Sequence, residues 1–352
     1  ALDYVYCGEG EIGFPEFCKK ILAGEPVSEV PGLCHRNAEG GSACNDTRII
    51  DDLDNLPRIR WEDVDIQEYP DFLTSLPFIP VMATRGCPYR CKYCAGHKIV
   101  GRKMRFRSIG NVIDELKSLS SIHGVTGFNF SDDELTLNRK YFTELCRGII
   151  DSGLSLNWEC SNGVRLDTLD DEVLDLMYAA GCRYISVGIE SASNELLARM
   201  KKNITVETIR EKISLIKRHK VIPQGLFMIG FPGETKEDIL KTIQFAIDID
   251  ISKTNFSIFM PLPGSEIFDE LVGQSAIDPG TIDWGKMKPD EVLYENALVS
   301  PSELKALQKY AYRKFYMRFR PLSRLVKEFL FKKGGAKALA NKIYSVFIKH
   351  GK

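Results

Sequence analysis

Cys87-Pro88-Tyr89-Arg90-Cys91-Lys92-Tyr93-Cys94 is the stretch on which the reading of this chain turns. Its cysteines are spaced C-x3-C-x2-C, just after an apolar run, Phe78 to Ala83, that reads as a strand. Thiolates so close in sequence can converge on one soft metal centre, and three of them leave a coordination position vacant. A structural tetrahedral site takes four ligands, whereas an open position is built for chemistry. His97 follows Cys94 and offers a fourth ligand for a Cys3His zinc site. The segment belongs to no small finger, because strand and helix patterns alternate after it as far as residue 260. An iron–sulfur cluster is the stronger reading.

Working outward, candidate strands fall at 78–84, 125–131, 155–160, 183–189, 223–230 and 254–260. Helical patterns lie between them at 112–119, 138–151, 168–180, 205–219 and 235–249. Six such units predict an α/β fold with a parallel, barrel-like sheet and helices outside. Active sites of such barrels lie at the carboxyl ends of the strands. That rule singles out Asp132-Asp133-Glu134 after the second strand and Arg165 after the third. It also singles out Glu190-Ser191 after the fourth strand, Lys202 downstream, and Gly230 in Gly230-Phe-Pro-Gly-Glu-Thr235 after the fifth. Each has a plainer reading. The acids suit a solvated turn or helix cap, Arg165 and Lys202 suit surface charge, and Thr235 with Asp238 suits a capping box.

Together these motifs resemble the radical S-adenosylmethionine (SAM) superfamily over residues 76–270, in particular its cobalamin-linked class. The resemblance rests on the cysteine spacing with Tyr93 before the last cysteine, on the Gly-Phe-Pro-Gly-Glu-Thr segment, and on the exit Pro261-Leu-Pro-Gly-Ser265. It implies a partial (β/α)6 TIM-like barrel in which Cys87, Cys91 and Cys94 hold three irons of a [4Fe–4S] cluster. The fourth iron would take the amino and carboxylate groups of SAM, whose reductive cleavage gives a 5′-deoxyadenosyl radical. By the same resemblance, Asp132, Asp133 and Glu134 receive the SAM ammonium and Lys202 its carboxylate. Glu190 and Ser191 reach the ribose and amino-acid portion, Gly230 borders adenine, and Tyr93 and Arg165 complete the cofactor contacts. The class resembled includes anaerobic magnesium-protoporphyrin ester cyclases and cobalamin-dependent methyltransferases. It implies methylation or oxidative cyclisation of a small-molecule or lipid substrate, with a reductase, flavodoxin or ferredoxin as electron donor. The D-x-H-x-x-G motif whose histidine ligates cobalt is absent, so cobalamin is expected of a longer protein. A tRNA methylthiotransferase would need a further three-cysteine domain and an RNA-binding domain. A non-enzymatic iron–sulfur or zinc protein would favour four ligands.

The 352 residues, 44% hydrophobic and 27% charged, are ordinary for a soluble globular protein. No run approaches the ~18 apolar residues of a membrane span, and no signal peptide is visible. Ten cysteines with one tight triplet predict a reducing, cytoplasmic setting. Cys7, Cys18, Cys34 and Cys44, in a segment that reads as loop-rich, are expected to be scattered buried thiols. Gly8-Glu-Gly-Glu-Ile-Gly13 matches G-x-G-x-x-G, but Glu9 and Glu11 would repel a pyrophosphate and Pro15 follows at once. It resembles instead the exit of a cobalamin-binding domain, which makes residues 1–50 a remnant of that domain in an N-terminally truncated chain. Residues 51–77 read as a linker, 78–270 as the barrel and 271–352 as a mostly helical basic extension. Arg85, Arg90, Lys92, His97, Lys98, Arg102, Lys103, Arg105 and Arg107 crowd the cysteine loop and predict a cationic surround for a reduced cluster, about half of them as ordinary solvated charge. Residues 301–352 carry 14 Lys and Arg against 2 Glu, with apolar stripes at Leu322–Leu330 and Leu339–Phe347. A packed helical cap is the first reading, and a helix pair at a membrane surface the second. No RNA module accompanies the tail aromatics, so no nucleic-acid partner is expected.

Overall fold

The structure is a computed structural model and describes residues 2–37, 40–64, 79–319 and 321–323. The N-terminal segment departs from the loop-rich expectation. β1 (Tyr4–Tyr6) enters α1 (Gly10–Ala23), and β2 (Leu33–Arg36) and β3 (Ser42–Cys44) complete an antiparallel sheet in the order β1–β2–β3. The thiols differ from expectation as well. Cys7 and Cys44 are exposed, and Cys34 is disulfide-bonded to Cys44.

β4 (Pro80–Val81) starts the barrel. The cysteine loop follows it, framed by the antiparallel pair β5 (Thr84–Arg85) and β6 (Arg105–Phe106), with α2 (His97–Val100) between them. Then come α3 (Ile109–His123), β7 (Gly127–Phe130), α4 (Arg139–Asp151), β8 (Asn157–Val164), α5 (Asp171–Ala179) and β9 (Cys182–Glu190). The chain continues through α6 (Asn194–Arg199), α7 (Val206–Arg218), β10 (Ile222–Ile229), α8 (Lys236–Asp248), β11 (Lys253–Ile258), α9 (Glu266–Gly273) and α10 (Pro301–Tyr316). β4, β7, β8, β9, β10 and β11 pair in that order, all parallel. This is the partial barrel-like sheet that the six alternating units predict.

Local chemistry fixes the helices. Ser108, Asn138, Asp170 and Thr205 cap α3, α4, α5 and α7 with their side chains, and Thr235 and Asp238 form the expected capping box of α8. The core lies between the sheet and these helices. Phe128, Trp158, Val187, Phe227 and Phe256 from the strands meet Leu116, Leu145, Leu174, Ile213 and Ile243 from the helices. Each such side chain contributes about 1.5–3 kcal/mol by leaving water.

Two boundaries moved. Phe78 lies outside the described residues, and β4 itself is only two residues long. β8 runs past residue 160 to Val164 through an irregularity between Cys160 and Val164.

α10 packs on the barrel. Leu304, Leu307, Ala311 and Phe315 are buried, the Tyr316 hydroxyl donates to the Thr254 carbonyl (2.9 Å), and Gln308 Nε2 donates to the Phe256 carbonyl (2.7 Å). Several tail aromatics are therefore bound to the sheet. The stripe residues beyond Ser323 lie outside the described residues. Among the described residues no helix is long and apolar enough to cross a membrane.

Candidate active site

The cysteine loop is stitched down along its length. Lys92 N donates to the Met200 carbonyl (2.9 Å), and Ile267 N, in the first turn of α9, donates to the Lys92 carbonyl (3.0 Å). Arg102 Nη1 donates to the Tyr89 carbonyl (2.5 Å), and Gly96 N lies 3.4 Å from Cys94 Sγ. Ser265, which ends the Pro-x-Pro-Gly-Ser segment, caps α9 and so places the turn that clamps Lys92.

The loop forms one wall of a cavity of about 350 Å³ at the carboxyl ends of the strands. Cys87, Cys91 and Cys94 line it, together with Tyr93, Asp133, Glu134, Arg165, Glu190 and Lys202. Burial pushes the Cys87 thiol up to about 11, with Glu134 and the neighbouring thiols adding to it, and raises that of Cys94. Among the described residues no three His, Cys, Asp or Glu are gathered closely enough to hold one metal ion. Three thiolates around one cavity are a donor set that fits an iron–sulfur cluster, in which each would meet a separate iron.

A largely buried polar triad joins the Tyr93 side of the loop to the far wall. Lys202 Nζ lies 2.9 Å from Glu190 Oε1 and 3.1 Å from the Tyr93 hydroxyl, which donates to Glu190 Oε1 at 2.9 Å. Backbone irregularity creates it. The register of β9 against β10 shifts between Leu226 and Phe227, and Glu190 adopts a left-handed φ of 66°. Lys201 and Asn203, on either side of Lys202, are left-handed too. Such conformations cost on the order of 1–3 kcal/mol each and persist where the surroundings enforce them. Burial pulls the Lys202 pKa down, but the Glu190 carboxylate, the Tyr93 phenol and the Cys91 thiol together outweigh it and hold the ammonium well above its usual range. An ammonium has three N–H donors, so Tyr93 and Glu190 leave one for a ligand. Gly188 completes the wall, since a Cβ there would come within 2.6 Å of Lys202 Nζ.

Arg165 lies with its guanidinium 3.9 Å over the Tyr89 ring, bonds Asp167 through Nε (2.9 Å), and donates to the Lys202 carbonyl (3.0 Å). It therefore links the cysteine loop to the lysine loop.

Three expected residues stand apart from this cavity. The Asp132 carboxylate turns inward and accepts from Ala83 N (3.1 Å), Thr84 N and the Thr84 hydroxyl (2.7 Å). Burial lifts it to about 7 against those donors, and it tethers the root of the cysteine loop. Ser191 is fully buried beside Thr242. Gly230 faces α10, where an added Cβ would meet Leu304 Cδ2 at 2.5 Å, and its N–H donates to Glu234. The cationic surround is paired in part. Arg85 pairs with Glu9 and Glu11, Arg105 with Glu9, Arg107 with Glu115, Lys92 with Glu270 and Lys103 with Asp51. Five of the nine basic residues therefore have an acidic partner, and Arg102 bonds the Tyr89 carbonyl.

Tyr89, Asn162, Gly163 and Leu226 line the cavity without having been singled out as contacts. Their signal was positional. Asn162 and Gly163 sit in the extra turn of β8, which apolar alternation alone ends at residue 160.

Comparison with known proteins agrees with this geometry. The radical SAM superfamily profile matches residues 81–246. An uncharacterized methyltransferase of Pyrococcus horikoshii is 30% identical over 319 residues, covering 90% of this chain and 68% of that protein. The anaerobic magnesium-protoporphyrin IX monomethyl ester cyclase of Cereibacter sphaeroides is 30% identical over 326 residues, covering 90% of this chain and 52% of the cyclase. In structure, the radical SAM methyltransferase TsrM of Kitasatospora setae, solved with cobalamin and a [4Fe–4S] cluster, matches with a TM-score of 0.64 at 21% identity. That match covers 87% of this chain and 62% of TsrM. The cobalamin-dependent radical enzyme OxsB matches with a TM-score of 0.66 at 15% identity, covering 99% of this chain and 56% of OxsB. With its three loop cysteines, its six-strand parallel sheet and these relatives, the chain belongs to the radical SAM superfamily.

Proposed function

We propose that this chain is the catalytic barrel of a cobalamin-linked radical SAM enzyme that methylates or oxidatively cyclises a small-molecule or lipid substrate. The observation that carries the reading is the single cavity shared by Cys87, Cys91, Cys94 and the Tyr93–Glu190–Lys202 triad. The three cysteines hold a [4Fe–4S] cluster. When bound, the cluster supplies the electron for reductive cleavage of SAM. Lys202 offers its remaining N–H to the SAM carboxylate, while Glu190 and Tyr93 keep the ammonium in place. Asp133 and Glu134, which line the cavity, receive the SAM ammonium in this reading. Arg165 fixes the carbonyl of Lys202 and so orients that loop. Asp132, Ser191 and Gly230 serve the site through the backbone around it. A reductase, flavodoxin or ferredoxin is the electron donor.

The chain spans 52% of the cyclase's length and 68% of the Pyrococcus relative's. Among the described residues the outer edge of β1 has no partner strand, and Leu2, Tyr4 and Val5 are exposed beside it. In this reading residues 1–50 are a remnant of a cobalamin-binding domain, 51–77 link it to the barrel of 78–270, and 271–352 are a mostly helical basic extension.

Anaerobic reconstitution with iron and sulfide tests the assignment. Wild type should take up about four irons per chain and show a reduced-cluster EPR signal that SAM perturbs, and Cys91→Ala should lose both. Zinc retained at one per chain, with no cluster in wild type, would return the cysteines to a structural role.

A further inference from the structure

Outside the cavity, three more cysteines meet. β1, β2 and β3 bring Val5 opposite Cys34 and Cys34 opposite Cys44, and Cys7 follows directly after β1. Cys34 and Cys44 are joined by a disulfide, and Cys7 Sγ lies 3.7 Å from Cys34 Sγ. Cys7 and Cys44 are exposed, so the group is open to solvent. The contrast with Cys146, Cys160 and Cys182 is physical. Those three are buried, burial raises all of them, and they sit in the core as small apolar groups.

We propose that Cys7, Cys34 and Cys44 form a thiol–disulfide exchange site, in which Cys7 displaces Cys44 from Cys34. Cys7 gives up its proton to water and its sulfur bonds to Cys34 Sγ. The Cys34–Cys44 bond breaks, and its electron pair leaves on Cys44 Sγ, which takes up a proton. One disulfide and one thiol are present before and after, so no external oxidant is consumed. The exchange moves a covalent tie from the β2–β3 pair to the exit of β1. That exit, held by Cys7 N donating to the Gly32 carbonyl (2.8 Å), leads within two residues to Glu9, whose carboxylate grips Arg85 and Arg105 beside the cysteine loop. The tie would then bear on the segment that anchors the catalytic loop.

The test is disulfide mapping of the full chain, equilibrated in glutathione buffers of fixed oxidised-to-reduced ratio and quenched with acid and N-ethylmaleimide. Trypsin cuts at Arg36, between Cys34 and Cys44, and a protease specific for glutamate cuts at Glu9, between Cys7 and Cys18. Wild type should give both Cys34–Cys44 and Cys7–Cys34 peptides. Cys44→Ser should give Cys7–Cys34 alone, and Cys7→Ser should give Cys34–Cys44 alone. Cys34 found only reduced, or paired only with Cys44 while Cys7 is always alkylated, would overturn the proposal. So would Cys44→Ser joining Cys34 to glutathione but never to Cys7. The wild-type map decides the matter even where a variant folds poorly.

Discussion

Lys202 and Glu190 are a buried ion pair, and such pairs are costly to break from one side. Lys202→Met should lose about 3 kcal/mol in urea unfolding because it leaves Glu190 without its cation. Lys202→Met combined with Glu190→Gln should recover much of that loss, and strictly additive effects would mean the pair is not coupled. A quieter probe is Gly188→Ala. Its Cβ would sit 2.6 Å from Lys202 Nζ and 2.8 Å from Glu190 Oε1, the ends of side chains that can move aside. The fold should survive while the SAM dissociation constant, read by calorimetry on reconstituted protein, rises at least about tenfold, or 1.4 kcal/mol. An unchanged constant would remove the triad from the binding site. At this scale the cysteines were legible because spacing alone brings them together. Asp132 and Asp133 were not separable, because adjacent residues at a strand end point opposite ways and only the structure shows which carboxylate turns inward.

Between elements, His219 at the carboxyl end of α7 sits between two carboxylates of α5, with Nε2 2.9 Å from Asp171 Oδ1 and Nδ1 2.7 Å from Asp175 Oδ1. Its hydrogen bond to Asp171, and then that to Asp175, hold its pKa above the ordinary histidine value. The stabilisation is complete below the unfolded value of about 6.5 and is lost as pH rises through the raised folded value. Thermal unfolding at pH 6 and pH 9 should show a decline in wild type that is smaller in His219→Gln. An equal decline would show that the contact does not titrate with folding. Sequence pattern placed all five barrel helices from α3 to α8 other than the short α6, since their apolar stripes and caps are local signals. It missed α1, in a segment that reads as loop-rich although the helix accommodates Pro15, and it missed the extension of β8. The β9 irregularity that produces the triad leaves no periodic trace, because it depends on pairing with β10.

Across the whole molecule, charge holds the N-terminal unit against the barrel. Glu9, 5% exposed, accepts from Arg105 (2.8 Å) and Ile50 N (2.7 Å) and pairs with Arg85. Two features read separately in the sequence, the Gly-Glu-Gly-Glu loop and the basic crowd around the cysteines, are thus halves of one contact. Glu9→Ala leaves Arg105 buried without its anion and should cost about 3–5 kcal/mol. It should also expose Arg36 and Arg48 to trypsin faster than wild type, and identical digestion would place the anchor elsewhere. The central claim is that this cavity cleaves SAM by reduction. The direct measurement is 5′-deoxyadenosine, by chromatography, from reconstituted protein given dithionite and SAM under anaerobic conditions. The account predicts time-dependent 5′-deoxyadenosine in wild type and none in Cys91→Ala. Its absence from a wild-type protein that carries the cluster, or its persistence in Cys91→Ala, would contradict the account.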